Sequence, residues 1–227
     1  MAFIKNERGL SRETVRNYLQ GLRFMYRSVY KRIDIIQDIP YPKSTKKLPV
    51  ILTSKELLLL FNSTKSLKHR MVLKIAYSGG LRRSEIGKLK LTDIDTKNYR
   101  LRIENSKGNK DRYTLLAKSL VPELKEYFLK YRPEKYLFNG SRKGFPYSDE
   151  GMRWAFSHAL EKSGITKHVS LHSLRHAFAS HLLAMGTDIF QIHKLMGHDD
   201  IRTTMIYLQI NQGNSAKELV SPLDIIC

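Results

Sequence analysis

Five short segments of this chain carry residue types suited to chemistry at a phosphate: Gly80-Leu-Arg82-Arg-Ser-Glu85, Ser106-Lys107-Gly-Asn-Lys110-Asp-Arg112, Leu171-His172-Ser-Leu-Arg175-His176, Leu195-Met-Gly-His198 and Thr203-Thr-Met-Ile-Tyr207. Cutting a phosphodiester without a metal or cofactor needs a nucleophile for phosphorus, fixed donors for the charge that develops on the nonbridging oxygens, and a proton for the leaving 5′ oxygen. Arginine suits the second task, because its guanidinium is a rigid fork of donors that matches phosphate oxygens and stays charged at any working pH. Arg82 and Arg175 are the candidates. His172 and Arg175 are three apart, so one helix places both on one side, within reach of a single phosphate. A free phenol has a pKa near 10, so Tyr207 needs nearby cations or a base before it can attack. Each piece alone has a plainer reading. Arg82 can be a salt-bridge partner of Glu85, Lys107 and Lys110 solvated turn charges, His176, His181 and His193 packed histidines, and Tyr207 one of 12 tyrosines that pack their rings.

Several elements must hold these segments. From Ser11 to Lys31 the pattern predicts a helix capped by Ser11. Arg12, Arg16, Arg23 and Arg27 fall within about 60° of one another on it, while Val15, Leu22, Met25 and Val29 gather on a different face. The basic stripe is a candidate for phosphate contact. Residues 40–49 hold three prolines with Lys43, Lys46 and Lys47, which predicts an extended linker and a boundary dividing residues 1–45 from 46–227. Just beyond, Thr53-Ser-Lys-Glu56 has capping-box spacing and starts a helix. A helix over Lys68–Ser78 should break at Gly79-Gly80, and another should follow over Ser84–Leu89. Tyr99, Leu101 and Ile103 then alternate with Arg100, Arg102 and Glu104, and a second extended run covers Arg112–Leu116, which together predict a β-hairpin with a lysine-rich turn. Further helices are expected over Ser119–Tyr131, Ser148–Lys162, Leu171–Met185, Ile189–Met196 and a short stretch holding Tyr207, with Gly186 and Gly197 as stops. The fold class is mainly α with a small β element.

The balance of 40 Lys and Arg against 21 Asp and Glu gives a formal charge of +19 in 227 residues, which self-repels unless a polyanion is the usual partner. Nucleic acid is the leading candidate; an anionic membrane face and a merely basic surface are the alternatives. Hydrophobic residues at 41% can supply a core. Cys227 is the single cysteine, which excludes an internal disulfide framework and a thiolate zinc site, and no metal or cofactor is implied. The charged N-terminus does not fit a signal peptide, and no apolar run approaches the roughly 20 residues that span a bilayer. The expected location is the cytoplasm.

In order and spacing the five segments resemble the tyrosine recombinase family, which includes phage integrases, Xer recombinases and integron integrases, over roughly residues 48–210. Leu48-Pro-Val-Ile-Leu-Thr53 and Ser221-Pro-Leu-Asp224 look most like integron-integrase and related chromosomal sequences. The resemblance implies that the chain is a site-specific recombinase or integrase, with the catalytic-domain fold preceded by a truncated helical core-binding segment. It implies Arg82 and Arg175 as phosphate clamps with Glu85 in support, and His172 as an aid to proton transfer at the tyrosine. His198 becomes the second phosphate-contacting histidine, Lys107 the hairpin lysine that protonates the leaving oxygen, and Tyr207 the nucleophile that forms a 3′-phosphotyrosine. The implied partners are double-stranded DNA and further copies of the chain, as a tetramer on paired sites with tail docking over residues 208–227, in a bacterial or archaeal nucleoid. DNA contacts are expected at Arg12, Arg16, Arg23, Arg27, Lys43, Lys46, Lys47, Lys110 and Arg112.

Two departures qualify that picture. The clamp before the catalytic domain is short, which leaves open a DNA-binding module of limited catalytic ability. Between Tyr136 and His172 there is no room for the segment with which integron integrases grip extrahelical bases, so folded single strands are not the expected substrate. A metal-dependent nuclease using Asp93 and Asp95, in a loop before the hairpin, is the remaining alternative.

Overall fold

The structure is a computed structural model that describes residues 10–42, 48–106, 110–140, 142 and 144–211. The chain divides into two compact units, 1–47 and 48–227.

In the first unit, α1 (Arg12–Ser28) starts where the Ser11 hydroxyl accepts the Thr14 amide. Val15 and Leu19 are buried on its apolar face. Val29, expected on that face, is 68% exposed, because the helix ends at Ser28 and Lys31 turns the chain with a left-handed φ of 54°. A 3-10 turn at Ile33–Ile35 follows, and the chain then returns along the helix. Arg23 fastens this return, donating to the carbonyls of Gln37 (2.8 Å) and Ile39 (2.6 Å) and stacking 4.2 Å from the Tyr41 ring centroid.

The second unit begins with α2 (Ser54–Asn62), opened by the expected capping box. Glu56 accepts the Thr53 amide at 2.7 Å, and Thr53 Oγ1 accepts the Glu56 amide at 3.3 Å. The centre of the unit is α3 (Leu67–Ser78), whose Met71, Val72, Leu73, Ile75 and Ala76 are all buried, a broad apolar face that places it against the core. Next comes α4 (Arg83–Lys88), then an antiparallel sheet in the order β1 (Ile94–Asp95), β2 (Arg100–Ser106), β3 (Lys110–Leu115). Leu101 and Ile103 turn inward as their alternation predicts. The sequence foretold two strands and the described residues form three, since the two residues of β1 are too few to set a period. Tyr99 is not the first strand residue but closes the β1–β2 turn at φ 54°.

Three of the remaining helices follow their caps, α6 (Asp149–Ser163) from Ser148, α7 (Leu171–Ala184) from Ser170 and α8 (Ile189–Met196) from Asp188, and α9 (Ile201–Asn211) carries Tyr207. Ahead of them, α5 (Val121–Tyr131) starts later than Ser119 because Lys118–Leu120 forms a 3-10 turn and Pro122 sits in the first helical turn. One large core surrounds α3. A smaller cluster of Phe178, Ala179, Ile192, Met196 and Tyr207 joins α7, α8 and α9. Among the described residues no helix is long and apolar enough to cross a membrane.

Candidate active site

The two expected phosphate clamps meet at the C-terminal end of α8. Arg175 lies inside the protein, 1% exposed, and donates to the carbonyls of Gly80 (2.6 Å) and Met196 (2.5 Å). Arg82 donates to the Gly197 carbonyl at 2.5 Å and to Glu85 at 2.8 Å. Arg112 donates to the Leu195 carbonyl at 3.0 Å. Three consecutive carbonyls at one helix end thus receive three arginines. The last carbonyls of a helix have no partner within it and carry its negative partial charge, so cations are favoured there. Gly197 ends α8 with a left-handed φ of 59°, which turns its carbonyl out of the helical series and toward Arg82. Gly80 is also left-handed at φ 59°, and a Cβ there would fall 2.3 Å from the Phe178 ring; only glycine lets this turn present its carbonyl to Arg175.

Glu85 is the anionic counterpart. Its carboxylate accepts the Arg82 backbone amide at 2.7 Å and both terminal nitrogens of Arg112 at 2.8 Å, and it lies 3.9 Å from Arg175. Burial is the largest single influence and works against the charged form, but the Arg112 hydrogen bonds and charge, the Arg82 amide and the Arg175 charge together outweigh it and hold the carboxyl below its ordinary value. Here the structure corrects an expectation. Arg112, expected at the DNA surface, is only 9% exposed and holds Glu85 with a bidentate fork. Three guanidinium groups against one carboxylate leave a net positive pocket. Among the described hydrogen bonds, Arg82 and Arg175 each use two of five donors this way, so each keeps donors for an anion.

Tyr207 enters this pocket from α9. It is 1% exposed, burial raises its pKa to about 12, and Arg175 opposes that rise through its charge. Its hydroxyl lies 2.9 Å from Nδ1 of His176. His172, four residues earlier on α7, is exposed and meets the His176 ring edge-on with centroids 4.6 Å apart. His198 follows Gly197 and its Nδ1 lies 2.8 Å from the buried Thr204 hydroxyl, which is also 3.2 Å from Nδ1 of His193. All three site histidines have lowered pKa values, each led by burial. The neighbouring His172 and Arg175 add to the effect at His176 (to about 4), and Arg175 and Arg82 at His198 (to about 3). Arg175, Arg82 and Arg83 add to it at His172. The histidines are therefore neutral at pH 7, and the arginines carry the charge.

Other expected positions lie elsewhere. Lys107, Lys43, Lys46 and Lys47 fall outside the described residues, as does the segment beyond Asn211; Lys110 begins β3. Arg12 and Arg27 are exposed on α1, and Arg16 is partly buried 5.6 Å from the Tyr41 ring centroid. Arg23, expected to touch phosphate, instead uses its guanidinium on Gln37 and Ile39, so its observed role is to fold the first unit. Asp93 accepts the Lys90 amide and Arg102, while Asp95 accepts Asn98 and Arg100. They lie at a 3-10 turn and in β1, not in an open loop, and both serve their own turns.

His176 and Thr204 were not singled out as site residues. His176 could have been, because it lies four residues after His172 and so shares its helical face. Thr204 had no such signal beyond its place three residues before Tyr207.

Residues 51–214 match the phage integrase family. A putative integrase/recombinase, y4qK, of Sinorhizobium fredii is 36% identical over 225 residues, which cover 99% of this chain and 73% of that protein. The tyrosine recombinase XerC of Bacillus subtilis is 30% identical, covering 91% and 74%. Among solved structures, the XerA recombinase crystal structure aligns with a TM-score of 0.67 at 25% identity over 93% of this chain and 77% of that one. The XerH site-specific recombinase bound to a palindromic difH substrate aligns with a TM-score of 0.75 at 24% identity, covering 92% and 67%. With its arginines, histidines and buried tyrosine held as described, the chain belongs to the phage integrase family of tyrosine recombinases.

Proposed function

We propose that the protein cuts and rejoins double-stranded DNA at specific sites through a covalent 3′-phosphotyrosine bond to Tyr207. The observation that carries this reading is that Tyr207 and Arg175 of the same chain share one buried pocket, close enough for the guanidinium charge to act on the phenol. The Tyr207 oxygen attacks phosphorus, the P–O5′ bond breaks, and the strand leaves as a 5′-hydroxyl. Arg82 and Arg175 offer their remaining donors to the nonbridging oxygens, and because carbonyls and Glu85 already fix them, little reorganisation is needed when charge develops. Thr204 donates to Nδ1 of His198 in this scheme, leaving Nε2–H to face the phosphate. His172 assists proton transfer at the tyrosine from the exposed edge of the site, and Lys107 protonates the leaving oxygen. The energy of the broken ester is kept in the phosphotyrosine, so a new 5′-hydroxyl can reseal the strand without ATP.

The first unit contributes to the grip on DNA through Arg12, Arg16 and Arg27, joined by the lysines of the linker and Lys110. Recombination involves four copies on two paired sites, with the segment after α9 docking on a neighbouring copy. The XerH and lambda integrase structures, bound to difH and to a core site, supply the precedent for DNA.

A nicked duplex from the DNA flanking the coding sequence, in which the cleaved fragment diffuses away, tests the assignment. Protein–DNA adducts that survive denaturant should accumulate with chelator present and disappear in Tyr207→Phe. Adducts persisting in that variant would remove Tyr207 from the role.

A further inference from the structure

We propose that His176 is the positioning residue for the nucleophile, its Nδ1 holding the Tyr207 hydroxyl in register with Arg175 before DNA arrives. The inference rests on Tyr207 being the attacking group. Three observations meet at this histidine. Its Nδ1 is 2.9 Å from the phenol oxygen, a full hydrogen bond. It is the chain neighbour of Arg175, so one turn of α7 fixes both the phosphate donor and the tyrosine contact. Its ring is held edge-on by His172, which lies one turn earlier with centroids 4.6 Å apart.

A phenol on a helix has freedom about χ1 and χ2, and the small apolar cluster around Tyr207 confines the ring without giving its oxygen a direction. The hydrogen bond supplies that direction. Burial leaves His176 a weak base, at about 4, and Tyr207 a weak acid, at about 12, so at rest the proton stays on the phenol and His176 orients it rather than removing it. With Nδ1 accepting, the ring proton resides on Nε2. The sequence obscured this role because His176 stands beside the more conspicuous Arg175.

The test compares His176→Leu and His176→Asn in single-turnover adduct formation on the nicked duplex. The Asn side-chain amide occupies the place of Nδ1 and keeps a hydrogen-bonding atom there, whereas Leu removes it. His176→Leu should slow adduct formation by about 100-fold, the scale of a misplaced reacting group, and His176→Asn should recover most of that rate, with DNA affinity the same in all three. A Leu variant as fast as the unmodified protein, or an Asn variant as slow as Leu, overturns the proposal. Nitrogen NMR of His176 in the DNA-free protein gives a readout independent of activity and of the Leu variant's folding. The Nδ1 resonance should move in Tyr207→Phe, and an unmoved resonance also overturns it. If the unmodified protein forms no tyrosine adduct while that resonance still moves, the failure lies in the catalytic assignment and not in the hydrogen bond.

Discussion

Arginines on α1 and arginines around the end of α8 are the same residue put to opposite uses. Arg12 and Arg27 stand in solvent, where a long side chain samples many rotamers and salt screens its charge. Arg175 and Arg112 are buried, and their guanidinium groups are fixed by backbone carbonyls and by Glu85. The first kind suits a contact that any phosphate can satisfy. The second suits a reaction, because donors that need not move when charge develops stabilise it most. Within the first unit Arg23 crosses the divide, since it faces inward and ties the chain together.

Removing the fork but keeping the charge is the strongest way to break this contrast. Arg175→Lys retains a cation but cannot bridge Gly80, Met196 and a phosphate at once, so single-turnover adduct formation should fall by about 10³-fold with DNA affinity nearly unchanged. Equal losses of rate and affinity would place Arg175 with the surface kind.

Glu85→Gln should have the next largest effect, on stability. Three arginines would lose their buried anion, at a cost of about 3 kcal/mol in the unfolding free energy obtained from a denaturant titration. Because the folded-state pKa of Glu85 is depressed, its contribution is complete above the ordinary carboxylate range and is lost as pH falls through the lowered value. The variant's stability should therefore vary less with pH on the acid side than that of the unmodified protein.

The smallest effect separates the two kinds of arginine directly. Arg12→Ala should weaken DNA binding modestly and lower the salt slope of log affinity by about 1, whereas Arg112→Lys should leave that slope unchanged while lowering thermal stability. A reduced slope in Arg112→Lys would restore it to the DNA surface.

Much of this molecule was legible from the chain alone, for identifiable reasons. Thr53 and Glu56 announce a helix start through spacing, Gly79-Gly80 and Gly197 announce stops, and the Leu101–Ile103 alternation announces a strand; all are local signals. The family pattern set apart Arg82, Arg175 and Tyr207, and the pocket holds them together. What stayed hidden depends on contacts distant in sequence. Nothing local distinguishes Arg112, paired with Glu85 27 positions away, from an exposed hairpin arginine. Arg23 likewise folds onto carbonyls 14 and 16 residues later, and only the return of the chain reveals it. The short β1 strand escaped because two residues cannot show a period.

The anchoring of Arg112, Arg175 and Arg82 on the carbonyls of Leu195, Met196 and Gly197 is made of main chain. Exchanging the side chains of α8 leaves those oxygens in place, so its sequence is free to drift as long as its apolar face still packs. What evolution must preserve is the point at which the helix stops. A stop displaced by one residue would rotate the terminal carbonyls by about 100° and misdirect three guanidinium groups together.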